Sequence, residues 1–486
     1  MTRSTSRRSW RILGALAAAA ALGFAAAAPA AAAPLPDADQ LGSLTIHKFE
    51  TPPGGPGAEG DGTLIPGFTG TPVPGVEFTV QQVDPATYDL TTNAGWQALT
   101  NLTPAIAAAG PFGQEATVTT GADGVATAAD LPLGVYLVTE TSWPAGFVPA
   151  VPFLVTIPLT DPVNLDDWLY DVHVYPKNAA TEVTKTVEDS DAYVLGDAVT
   201  WTIRGSIPQV DVIDGYRITD QLDDKLQYDG STVELSNGVA LTEGTDYTRT
   251  FDAATNTLTI DFTEAGRAVL VDNSDAQVVV TLETTVTAVG EITNTAVLYP
   301  NEGSFDIEPG EPGGPIVTPE EETKWGNVSI RKTDARDTSV NLEGAVFSVY
   351  LTEQDARDGV NAITIGGTDT WTTDGSGELT ISGLRYSGWA DGAAVAPGDP
   401  GYQSYWLVEV TAPTGYELLA EPVEVIVDGT DTVVDYTIEN SPHNGGFTLP
   451  LTGGTLAEWF LYGAGAALLG GAALLMARRA KRSSVQ

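Results

Sequence analysis

The chain has 486 residues, enough for about three domains that each bury a core of their own. Its 64 Asp+Glu against 22 Lys+Arg give a formal net charge of −42, and eight of those basic residues sit in the two terminal segments, which argues against nucleic acid and anionic lipid as partners. Cysteine is absent, so disulfide staples and thiol catalysis are excluded, and the modules must be held together by other means.

At the N-terminus, Arg3, Arg7, Arg8 and Arg11 precede the apolar run ILGALAAAAALGFAAAA and small residues ending near Ala33, the pattern of a removable signal peptide over 1–33. Beyond it, short Val, Thr, Tyr and Ile-rich runs alternate with Gly, Pro, Asp and Asn, apart from a brief helical stretch near Tyr88 to Ala109. This predicts an all-β chain of three tandem immunoglobulin-like β-sandwich modules in an elongated array. The first covers 34–180, with a long loop at PPGGPGAEGDG (52–62). The middle one covers 181–300, followed by a linker or extended loop over 301–326, and the third covers 327–441. A flexible stalk, SPHNGGFTLP, leads into LPLTGG. Residues Leu456 to Ala477 then form an apolar run that at ~1.5 Å per residue spans roughly 30 Å of hydrocarbon. Arg478, Arg479, Lys481 and Arg482 hold the tail inside and place everything before the span outside the cell.

The first and third modules repeat each other. ETSWPAGF (140–147) and EVTAPTGY (409–416) share Glu, Pro, Gly and an aromatic at fixed offsets, and each follows an alternating strand, VYLVTE or YWLVEV. Their opening strands, SLTIHKFE and NVSIRKTD, both carry a lysine. The middle module opens on EVTKTVED but lacks the Glu-Pro-Gly signature, so it reads as a related sandwich of another subtype.

Side chains alternate faces along a strand, so parity tells which residues share the core. Lys48 has the parity of Leu44 and Ile46, Lys185 that of Val183 and Val187, and Lys332 that of Val328 and Ile330. Asn178, Asn294 and Asn440 face inward on each module's last strand, and Glu140, Asp220 and Glu409 face inward between them. A buried ammonium costs several kcal/mol, which pairing rarely repays. Desolvation lowers a lysine pKa and raises a carboxyl pKa, favouring neutral amine beside protonated acid. A neutral amine is a nucleophile and the acid can shuttle a proton, so the triads point to intramolecular Lys-Asn isopeptide bonds. The same residues without a bond would be buried ion pairs.

With these features the chain resembles the major (backbone) pilins of Gram-positive bacteria, which sortases assemble. Glu140 and Glu409 lie in segments similar to that family's E-box, and the modules resemble collagen-adhesin-type domains, B-type for the first and third and A-type for the middle. The resemblance implies self-catalysed bonds joining Lys332 to Asn440, Lys185 to Asn294 and Lys48 to Asn178, promoted by Glu409, Asp220 and Glu140.

The sorting motif Leu449, Pro450, Leu451, Thr452 and Gly453 precedes the span and basic tail. In the family a sortase cysteine attacks the Thr452 carbonyl, cutting before Gly453. The pilin motif W-x-x-x-V-x-V-Y-P-K is met by Trp168, Val172, Val174, Tyr175, Pro176 and Lys177. Lys177 has the parity opposite to Asn178, so it should face solvent and accept Thr452 of another copy. Implied partners are other copies in a head-to-tail polymer, assembly and housekeeping sortases, peptidoglycan, and accessory tip and base pilins. The precursor would touch membrane only through its C-terminal helix.

No cofactor or metal is expected, because His47, His173 and His443 form no ligand pattern, and His47 and His173 read as exposed strand residues. The alternative is a monomeric wall-anchored adhesin using the same LPLTGG. An extracellular enzyme such as a glycosidase is disfavoured by the lack of paired carboxylates.

Overall fold

Alternation in the sequence becomes alternation of burial. In the computed structural model, which describes residues 35–52, 60–165, 167–430 and 435–443, the strand Gly42–His47 buries Leu44 and Ile46 and turns Thr45 and His47 the other way. Val183–Glu188 does the same, with Val183, Lys185 and Val187 inside. The signal peptide (1–33), residues 53–59 of the first long loop, the sorting motif and the apolar segment 456–477 lie outside the described residues.

Two compact units result. One holds residues up to Trp143 together with Pro149–Asn178, and the other holds Pro144–Val148 together with residues from Ala179 onwards.

In the first unit Gly42–His47 lies between Asp171–Val174, to which it runs parallel, and Val125–Leu131, antiparallel. A second sheet has the order Phe112–Thr119, Glu77–Val83, Gly134–Ser142, Phe153–Ile157. After Pro176 the last strand resumes, and Lys177 and Asn178 pair in parallel with Phe49 and Glu50. The brief helical stretch comprises Asn93–Ala98, the 3-10 turn Leu99–Asn101 and Pro104–Ala107; the side chains of Thr92 and Thr103 cap the two helices.

The second unit begins with a sandwich of two sheets. One has the order Val183–Glu188, Ala198–Ser206, Gln277–Val286, Leu226–Leu235; the other runs Tyr247–Asp252, Thr257–Phe262, Arg217–Gln221, Ala296–Tyr299, Ile316–Val317. Its core is built around Trp201, Tyr216, Phe262 and Trp325. The next core, around Val328, Ile330, Phe347, Tyr405 and Leu407, joins a sheet on Glu321–Asp334 to the sheet Trp371–Thr372, Val346–Tyr350, Tyr405–Thr411, Val423–Val425. Two short helices interrupt the strand pattern: Glu264–Val271, capped by Thr263, and Glu353–Asp358, capped by Thr352 and closed by Gly359 at φ +64°.

The expected linker at 301–326 is corrected by these strands. It holds a 3-10 turn at Glu302–Asp306 capped by Asn301, the edge strand Ile316–Val317, and the first part of the 14-residue strand Glu321–Asp334. That strand pairs with Gly290–Asn294 through Glu321–Trp325 and with Glu378–Arg385 and Tyr436–Asn440 further on. Its side chains pass from one core to the next between Trp325 and Val328, without a break in the backbone. The Gly, Pro and Glu content disguises the two anchors, Ile316 and Trp325. Gly326 marks the changeover: a Cβ there would lie 2.1 Å from the Gly429 carbonyl oxygen, so no side chain fits.

Candidate functional site

Each module gathers a lysine, an acid and an asparagine from strands distant in sequence. All nine side chains are buried, none more than 8 % exposed.

In the first and third modules the geometry repeats. Lys332 is in register with Ile438 on a parallel neighbour, so Asn440 stands two residues beyond its partner. Asn178 pairs with Glu50, two residues past Lys48, and therefore stands in the same diagonal relation to Lys48. The acids come from the other sheet at matched points, Glu140 opposite Phe78 and Glu409 opposite Phe347. The middle module is arranged differently, as its missing signature suggests. Asp220 pairs with Ala296, which puts it diagonal to Asn294, while Lys185 reaches in from the opposing sheet.

The contacts are polar islands in apolar surroundings. Lys48 Nζ donates to Glu140 Oε1 and lies 5.7 Å from the centre of the Phe78 ring. Asn178 Oδ1 accepts from the Ala150 amide at 2.9 Å, whereas Asn178 Nδ2 and Glu140 Oε2 have no hydrogen-bond partner. Lys185 Nζ donates to Asp220 Oδ2 and sits 5.2 Å from the Trp201 ring; both polar side-chain atoms of Asn294 are orphaned. In the third module Asn440 Nδ2 donates to both Glu409 oxygens at 2.8 Å, and Lys332 Nζ donates to the Ile438 carbonyl at 3.0 Å, 3.9 Å from Glu409 Oε1. Asn440 Oδ1 is left without a partner. Each orphaned buried atom costs about 1–3 kcal/mol, so all three asparagines are poorly served as ordinary core residues.

Burial sets the protonation. It lowers the pKa of Lys48 to about 8 against the opposing pull of Glu140, and that of Lys332 to about 8 against Glu409 and Glu439. Lys185 is lowered and Asp220 and Glu140 are raised for the same reason, their mutual attraction notwithstanding. A weakly basic amine therefore lies beside a carboxyl that holds its proton more tightly than usual in the first two modules.

The motif at the end of the first module lies on two short strands, Trp168–Leu169 and Asp171–Val174, and the start of Lys177–Ala180. Trp168 stacks on Trp96 at 5.3 Å, Val172 is buried, and Val174 is half-buried. The alternation between Lys177 and Asn178 holds, but Lys177 is half-buried and not free in solvent. Its Nζ lies 5.8 Å from the Phe68 ring and 3.5 Å from the Tyr175 carbonyl, and burial lowers its pKa. Parity cannot reveal this cover, because Phe68 comes from a loop.

The histidines also differ from expectation. His47 Nε2 and His173 Nδ1 lie 2.9 Å apart, both half-buried, and His47 stacks on Tyr175 at 4.6 Å. The register Thr45↔His173 brings them together on the outer face, and a reading strand by strand does not see across the sheet. Lys225 pairs with Asp223, and Lys324 with Glu322 and Glu291.

Comparison with known proteins agrees with this layout. Residues 39–179 match the family described as Gram-positive pilin subunit D1, N-terminal domain; residues 179–300 match the Sgo0707 N2 domain; residues 326–442 match a prealbumin-like fold domain; and residues 441–482 match the LPXTG cell wall anchor motif. The chain is similar to fimbrial subunit type 1 of Actinomyces viscosus, with 36 % identity over 90 % of each chain. Among solved structures it is similar to the full-length major pilin SpaD of Corynebacterium diphtheriae (29 % identity, TM-score 0.66, covering 84 % of this chain and 98 % of that one). It is also similar to the major pilin SpaA of the same organism (26 % identity, TM-score 0.58, covering 82 % and 99 %), a structure described as pointing to a modular pilus assembly stabilizing isopeptide bonds.

Proposed function

This chain belongs to the sortase-assembled major pilins of Gram-positive bacteria, structural subunits of cell-wall-anchored surface fibres, and we propose that Thr452 of one copy is joined to Lys177 of the next while each module is closed by its own Lys-Asn bond. The observation that carries the reading is the recurrence, in three modules, of a buried lysine with a neighbouring acid and an asparagine whose amide is incompletely bonded.

The internal reaction balances without an outside reagent. The neutral Nζ of Lys332 attacks Cγ of Asn440, a C–N bond forms, and the Cγ–Nδ2 bond breaks. Nδ2 departs as ammonia, taking one proton from the attacking amine through Glu409, which already accepts from Nδ2 with both oxygens. Lys48 with Asn178 and Lys185 with Asn294 follow the same course through Glu140 and Asp220. Each bond replaces a buried charge by a neutral amide and ties the opening part of a module to its later strands, as disulfides do in other secreted proteins.

The intermolecular step is an acyl transfer. The Lys177 amine adds to the Thr452 carbonyl held as a thioester on the sortase; the C–N bond forms, the C–S bond breaks with its electron pair on sulfur, and the proton lost by the amine restores the departing thiol. The link is heterologous and does not close on itself, which is what extends a filament. Replacing Lys177→Ala should abolish high-mass wall-linked ladders while leaving secreted monomer. Persistence of the ladders would refute the linkage and favour a monomeric adhesin.

A further inference from the structure

A lysine at the start of a short strand, on the face turned away from the core, is ordinarily bathed in water and samples many rotamers. Lys177, the nucleophile under the linkage proposed above, is held otherwise. Phe68 lies 5.8 Å from Nζ, and its ring is wedged against Phe49 at 4.7 Å and Tyr175 at 5.3 Å. Phe49 is the residue in register with Lys177 on the neighbouring strand. The loop carrying Phe68 is fastened to the motif: the Tyr175 hydroxyl accepts from the Ile65 amide at 2.7 Å, and the Phe68 amide donates back to the Ile65 carbonyl at 3.4 Å. Tyr175 also stacks on His47. Three aromatic rings from three segments thus pack together, and one of them, Phe68, lies beside the amine.

We propose that Phe68 is a positioning residue for Lys177, its ring holding the acceptor amine half out of water in a narrow set of rotamers where an acyl group on Thr452 of a second copy can reach it. This rests on the linkage reading and names the part of the fold that prepares the nucleophile. Ordering the side chain in advance removes entropy loss from the transfer step. Partial burial weakens the ammonium, and at nearly 6 Å the attraction of the ring face for the charged form is slight. The ionisable groups nearby are Lys48 and Glu50 beside the paired strand, His47 and His173 on the outer face, and Tyr175 itself. Among them Lys48 shares a like-charge interaction with Lys177.

The test acetylates the intact secreted chain with acetic anhydride from pH 7 to 11 and follows Lys177 by peptide mass spectrometry, with Lys225 as internal reference. In Phe68→Ala the pH midpoint at Lys177 should move upward while that of Lys225 stays fixed, and sortase-driven ladder formation should slow about tenfold. Phe68→Leu, which keeps the apolar bulk, should shift less in the same direction and serves if the alanine variant does not fold. An unchanged midpoint and ladder rate in both variants would overturn the proposal. Acetylation needs neither sortase nor a second copy, so the two readings can fail separately: ladders persisting in Lys177→Arg would sink the linkage, while the acetylation midpoint still judges the role of Phe68.

Discussion

An ammonium with no water around it and an amide with an unpartnered polar atom are both unfavourable, and each triad contains both. At the residue scale this was legible, because strand alternation alone placed Lys48, Lys185 and Lys332 with their acids and asparagines on the inner face, and the structure buries all nine. What alternation could not show is which side chains meet across the sheet or from a loop, and so the His47–His173 pair and the Phe68 cover over Lys177 were missed. The lowered pKa of Lys332 has a consequence when the bond is blocked. In Asn440→Ala the lysine keeps a folded pKa of about 8 against its ordinary 10.5, so between those values the unfolded chain binds more protons than the folded one and stability rises with pH. Below pH 8 both states are protonated and the penalty is fully present; above 10.5 both are neutral and it is gone. Thermal unfolding of the third module in Asn440→Ala should therefore shift to higher temperature between pH 7 and 10, relative to the Lys332→Met, Asn440→Ala double variant. Equal pH dependence in the two would contradict the buried-amine account.

At the scale of elements, the strand Glu321–Asp334 is the main departure from what the sequence suggests. Its first residues sit in a stretch rich in Pro, Gly and Glu, which composition assigns to a linker, yet Trp325 is fully buried in the core of the preceding sandwich. One large aromatic outweighs the surrounding polarity because its burial removes on the order of 200 Å² from water. The core changes between Trp325 and Val328, and the backbone crosses that point as continuous strand. Trp325→Ala should accordingly destabilise the middle module by about 3–5 kcal/mol, measured as a fall in its denaturation midpoint. A change confined to the third module would mean that Trp325 belongs to the other core. The two short helices, by contrast, were hidden by length: six- and eight-residue segments hardly register as a helical period.

At the scale of the whole molecule, a net charge of −42 makes copies of the chain repel one another. A fibre with the proposed covalent links between subunits would not depend on overcoming that repulsion by surface complementarity alone, and the proposed internal amides would close the modules without cysteine, which the chain lacks. Both proposed linkages would meet at the strand Lys177–Ala180, where Lys177 is half-buried on the outer face and Asn178 is buried on the inner one. A one-residue slip of that strand would exchange the two faces and disable both chemistries. The most direct measurement is tandem mass spectrometry of peptides from fibres released from the cell wall. The account predicts a branched peptide with the Thr452 carbonyl on Lys177 Nζ, together with Lys48–Asn178, Lys185–Asn294 and Lys332–Asn440 cross-linked peptides each lighter by one ammonia; a Thr452 branch on any other lysine, or unmodified Lys177 throughout the polymer, would contradict it.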